Sequence, residues 1–287
     1  MIKSVVRAAT LTLFLLSLSF AHAETISEID FGSSAPLSGR IEAISSRFLG
    51  HPYVLGPLGE GPGAYDKDPL YRFDVFDCTT FVETVMALSL AKDFKDFERL
   101  MNLIRYKDGV VSFVARNHFT DADWIPNNAS AGFLRDITQT VAGKNGAKVA
   151  TAVIDKAAWY RKMKFDDVGQ NIKPETVSIP YVALDSIFPE SGGVDQDLLD
   201  RIPSGAVVNV VRPNWDLAKA IGTRMNVSHQ IFMIRKNGRL LVRQATSAGQ
   251  KKVVDMDVIE FLRPLLQSPT IKGINVLEVV EPNLLFP

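Results

Sequence analysis

From Phe81 onward, Phe81, Val82, Val85, Met86, Leu88 and Leu90 recur at helical spacing, which predicts a helix from about Cys78 to Lys92. Asp77 or Thr80 can cap its first turn, and Thr80 with Glu83 fits a capping box. A second helix is expected over 94–105. A shorter one is expected over 40–49, where Gly50 stops it. Residues 51–63 hold too many Gly and Pro for a regular element and read as a loop leading towards Cys78.

After the turn Tyr106-Lys107-Asp108-Gly109, residues 110–116 are strand-like, and polar and aromatic side chains crowd the stretch 116–124. Residues 132–191 are expected to form a mainly helical insertion, with helical stretches at 133–142 and 147–163 and one strand at 177–184. Beyond it, the turn Ile202-Pro203-Ser204-Gly205 feeds a β-rich run over 206–211. Strand patterns at 227–235 and 239–246 then flank Asn237-Gly238, a strong hairpin signal.

That hairpin fixes a register. With Asn237 and Gly238 as the loop, Lys236 faces Arg239, Ile231 faces Gln244 and His229 faces Thr246. Side chains alternate, so His229, Ile231 and Met233 share a face with Val242 and Gln244, and His229 and Gln244 become diagonal neighbours within reach of each other.

Composition narrows the class. The 32 basic and 32 acidic side chains balance, and nothing in their distribution favours nucleic acid or a charged membrane surface. Lys3 and Arg7 precede an apolar run over 8–20 that ends in Ala21-His22-Ala23. This reads as a cleaved signal peptide over 1–23, followed by a polar segment over 24–39 and one domain over 40–287. The expected location is periplasmic or secreted, with no stable membrane anchor after cleavage.

The chain has a single cysteine, so no internal disulfide explains it. At a helix N-terminus its thiolate is favoured by unpaired N–H groups and the helix dipole, which makes Cys78 the candidate nucleophile. A catalytic imidazole needs a partner on its second nitrogen, and the register offers Gln244 to His229, a Cys–His–Gln arrangement. His118 is a rival base. His51, His118 and His229 lack the spacing of a zinc helix, so neither metal nor other cofactor is expected.

The segments FDCTTFVE, YKDGVVSFVARNHFTDADW and SHQIFMI with GRLLVRQATS resemble the bacterial N-acetylmuramoyl-L-alanine amidase-like family, within the NlpC-type papain-like cysteine amidases and peptidases. The resemblance runs from about Arg40 to the C-terminus. It implies an α+β fold with a papain-like core, in which the Cys78 helix packs on an antiparallel sheet that carries His229. It also implies Cys78 as nucleophile, His229 as general base and Gln244 as orienting residue, although a histidine is more usual at that third position. Tyr53 matches an upstream tyrosine of such sites. Asp77, Arg116, His118, Trp124 and Ser228 are further candidates for contacting substrate.

The implied substrate is peptidoglycan or a muropeptide. The bond cut is either the amide to L-alanine or one within the stem peptide. A non-catalytic wall-binding module and a thiol acyltransferase remain as other readings.

Overall fold

The computed structural model describes residues 29–282 except 166. The expected signal peptide and the start of the polar segment after it lie outside the described residues.

Eight strands form one antiparallel sheet: β1 (Leu134–Asp136), β2 (Lys148–Ile154), β3 (Glu175–Ala183), β4 (Ala206–Asp216), β5 (Arg224–Lys236), β6 (Arg239–Ala245), β7 (Val253–Asp257) and β8 (Gly273–Val279). Their order is β2-β3-β8-β4-β5-β6-β7, with β1 also paired to β8. The last of the described strands thus sits inside the sheet, between β3 and β4.

One face of the sheet carries Val207, Phe232, Ile234 and Leu277. It is covered by helices α1 (Leu37–Arg47), α2 (Cys78–Leu90) and α3 (Phe94–Arg105). Phe81 and Phe232 meet edge to face across this boundary with centroids 6.0 Å apart. Burying Phe81 completely contributes roughly 1.5–3 kcal/mol. The opposite face carries Val208, Val210, Ile231, Met233 and Val242, packed under short helices such as Gln196–Asp200 and Val258–Leu262. Arg243 is fully buried at the junction of α1 with β6 and β7. Its guanidinium donates twice to Asp255, at 2.7 Å each, and to Ser45 Oγ at 2.8 Å.

Several local expectations are corrected. The segment over 132–191 is not mainly helical: it supplies β1, β2 and β3 alongside its short helices. The stretch expected to be helical from 147 divides into strand β2, whose burial alternates, and a helix over Lys156–Lys162 capped by Asp155. Residues 110–116 form no strand, only the isolated bridge Tyr106↔Arg116. Val110, Val111 and Val114 there face solvent. Ser112 curls the backbone by accepting from Ala115 and Arg116. The capping box lies one turn earlier than Thr80–Glu83, because Asp77 is the N-cap and Thr80 its reciprocal partner.

Candidate active site

Asp77 sets the start of α2. Its Oδ1 accepts from the Thr80 N–H at 2.8 Å, while its own N–H donates to Thr80 Oγ1 at 2.9 Å. Asp77 Oδ2 accepts from the Gly56 N–H at 3.0 Å, which ties the Gly- and Pro-rich loop to the helix start. Its carboxylate is spent on structure. Immediately after it, the Cys78 sulfur lies 3.9 Å from Thr79 Oγ1, and the nearby backbone N–H groups of Gln230 and Thr79 favour its thiolate. Burial, and then the Asp77 carboxylate, push the thiol up to about 11. The depressed value expected of a helix N-terminus is not found, because desolvation outweighs the favourable N–H and hydroxyl groups near the sulfur.

Gln230 follows His229 on β5. The β5–β6 ladder runs from Lys236↔Arg239 to Phe232↔Arg243 in the register the hairpin dictates, and there it ends. Beyond that point the strands are joined by side chains. His229 Nε2 lies 2.6 Å from Gln244 Oε1. With this oxygen as acceptor, Nε2 carries the proton and Nδ1 keeps its lone pair. Burial lowers the His229 pKa, offset in part by the Gln244 bond and by Asp77, so the ring stays neutral below the ordinary imidazole range. β4 shifts register beside His229, between Val210↔His229 and Val211↔Val227. Ser228 falls at this shift, with its hydroxyl 3.4 Å from the Val210 carbonyl.

His229, Gln244 and Ser228 line a groove of about 580 Å³ together with Arg212, Trp215 and the loop 246–250. Tyr53 joins the same region. Its N–H donates to the Lys251 carbonyl at 2.8 Å, and its hydroxyl is close to Ser247 of the groove. Burial first, then the nearby charges of Cys78 and Asp77, push its phenol up to about 12. The structure thus sets Ser228, His229 and Gln244 in the groove and groups Tyr53, Asp77 and Cys78 at the start of α2.

Three candidates are placed elsewhere. Trp124 is fully buried in the core beneath α2, so it lines no cleft. His118 points its Nε2 at the Phe113 carbonyl, 2.6 Å away. It packs between Phe113 and Trp159, with centroids 4.7 and 4.6 Å away. Burial pushes it down to about 3. Arg116 is engaged by Glu60 and Asp66, at 2.6 and 2.9 Å. Two groove residues, Arg212 and Trp215, belong to no sequence motif; their only signal is a cation and an indole just past the β-rich run 206–211.

Among the described residues, no group of three or more His, Cys, Asp or Glu side chains is placed to hold a metal ion. No helix among them is long and apolar enough to cross a membrane. The arrangement presents a thiol near backbone donors, and an oriented neutral imidazole on the adjoining residue.

Comparison with known proteins places this geometry in context. Residues 43–268 match the model of an AmiA-like family, described as N-acetylmuramoyl-L-alanine amidase-like. A Legionella pneumophila protein of the DUF1460 family is 36% identical, with a TM-score of 0.85 over 91% of this chain and 95% of that one. An N-acetylmuramoyl-L-alanine amidase from Bacteroides uniformis shares the fold at 22% identity and a TM-score of 0.62, over 85% of this chain and 98% of that one. Comparison with curated protein sequences gives no match.

Proposed function

Because the chain belongs to the AmiA-like, N-acetylmuramoyl-L-alanine amidase-like family, we propose that it is an exported, papain-like cysteine hydrolase that cuts the amide joining N-acetylmuramic acid to L-alanine in peptidoglycan. The observation that carries the cysteine mechanism is the stretch of β5 just beyond its ladder with β6. There Gln244 fixes the His229 ring at 2.6 Å, and the backbone N–H of the next residue, Gln230, is near enough to the Cys78 sulfur to favour its thiolate.

In this reading His229 Nδ1 takes the Cys78 proton as sulfur attacks the substrate carbonyl. The thiol is held high and the imidazole low by burial, so the resting pair is neutral, and proton transfer accompanies C–S bond formation. The oxyanion meets backbone N–H groups at the start of α2, where the Cys78 N–H precedes the first intrahelical bond, Phe81 to Asp77. Collapse breaks the C–N bond, and the imidazolium protonates the departing amine. Water then attacks the thioester carbonyl and gives a proton to Nδ1, and the thiol is restored as the acid leaves.

Mass spectrometry of muropeptides incubated with the protein tests both bond and mechanism. The expected products are peptide-free sugar and a peptide that begins with L-alanine, both missing with Cys78→Ala. Sugar that retains the first two amino acids would identify a stem-peptide endopeptidase instead. Near-normal turnover by Cys78→Ala would remove the thiol from the mechanism.

A further inference from the structure

The groove beside His229 holds a cation with no acid to neutralise it. Arg212 lies two residues along β4 from Val210, the residue paired with His229, and so roughly 7 Å further along the strand. Among the described residues Arg212 forms no ion pair, and its buried Nε has no hydrogen-bond partner. The one acidic residue lining the groove, Asp255, has both oxygens engaged by Arg243 at 2.7 Å. Burial lowers the Arg212 pKa, and no neighbouring carboxylate offsets it. A partly desolvated, uncompensated charge is costly to keep.

The fold nevertheless builds a support for it. β4 leaves its ladder with β5 between Val211 and Trp215, and re-pairs at Trp215↔Met225. Within the excursion Asn214 adopts φ 52°, and its N–H donates to Asn226 Oδ1 at 3.0 Å. Asn226 is itself buried, and its amide donates to Asp121 at 2.9 Å. This braced bulge sets Trp215 beneath Arg212, with the guanidinium carbon 4.3 Å from the ring centroid. Stacking uses the face of the guanidinium and leaves its N–H edge free to grip a planar anion with two bonds. The groove is also lined by the apolar side chains Met256, Phe261, Leu265 and Ile271. One cation in such a lining suits a single carboxylate better than a polyphosphate.

We propose that Arg212, backed by Trp215, is the subsite that binds a free carboxylate on the peptide portion of the substrate and thereby selects acidic over amidated stem peptides. The inference rests on reading the groove beside His229 as the substrate site.

Calorimetric titration of Cys78→Ala with intact muropeptides tests it without turnover. Three ligands are used: one with all peptide carboxylates free, one amidated at the α-carboxyl of the γ-linked glutamyl residue, and one amidated at the C-terminus. Amidation at one of the two positions is expected to weaken binding at least tenfold, which also identifies the source of the carboxylate. Adding Arg212→Met should abolish that difference, lowering affinity for the acid form to that of the amide. Arg212→Lys, which keeps the charge should the Met variant fail to fold, should retain part of the preference.

Equal binding of all three ligands to Cys78→Ala would overturn the proposal, as would an equal loss for all three on adding Arg212→Met. Carboxylate-dependent binding that vanishes with Arg212→Met, in a protein whose native form hydrolyses no muropeptide, would sink the hydrolase reading and leave this subsite standing.

Discussion

Gln244 holds the His229 ring through a neutral amide, so it fixes orientation without adding the negative charge a carboxylate would bring. Truncation leaves a buried Nε2–H unpaired, a penalty of about 1–3 kcal/mol. Gln244→Ala should therefore lower kcat by roughly tenfold to a hundredfold while remaining well above Cys78→Ala, and Gln244→His should keep much of the rate. Steady-state kinetics on a defined muropeptide checks this; wild-type kcat in Gln244→Ala would assign the orienting role elsewhere. The pairing was legible because alternation in a hairpin with a fixed turn places side chains by counting. Arg212 and Trp124 were not. The first sits in a strand excursion, and the second at the end of a π-helical turn, Thr120–Trp124. In irregular backbone, periodicity no longer tells which way a side chain points.

At the level of elements, α2 and α3 are locked by a buried ion pair, Glu83 to Arg105 at 2.6 Å, with both side chains almost wholly enclosed. Arg105 also donates to the Leu58 carbonyl at 2.7 Å, and the next residue, Tyr106, donates its hydroxyl to the Gly59 carbonyl at 2.9 Å. The pair thus pins to the helices the loop whose Gly56 meets Asp77. Glu83→Gln leaves a buried guanidinium without its counter-charge, which should cost about 3–5 kcal/mol of unfolding free energy. Urea denaturation measures it, and a loss below about 1 kcal/mol would show that Arg105 finds another partner. From sequence Glu83 looked like a helix-cap carboxylate, because its true partner lies 22 residues away. The strands in 132–191 escaped for a related reason: the alanines at 150 and 152 are buried on β2, yet Ala favours helices when read alone.

Across the whole molecule, stability is expected to fall on acidification. His118 is pushed down to about 3 in the folded protein, whereas the unfolded chain binds its proton near the ordinary 6.5. The unfolded state therefore takes up more protons between these values. The His118 contribution, complete above pH 6.5, is lost progressively to a total of roughly 4 kcal/mol by pH 3. His229 acts in the same direction. Asp121 and Asp123, raised by burial, act in the opposite one. Urea unfolding at pH 7 and pH 4.5 should show a marked drop for the native chain and a shallower one for His118→Gln. Parallel losses would mean that other groups set the slope.

The place of β8 has a consequence in time. Residues 273–279 are synthesised after the other seven described strands, yet they lie between β3 and β4 and pair with both. Until they leave the ribosome, at about 5–20 residues per second, the facing edges of β3 and β4 lack the strand that pairs with both. Among the described strands, the one made last is therefore the keystone that closes the sheet.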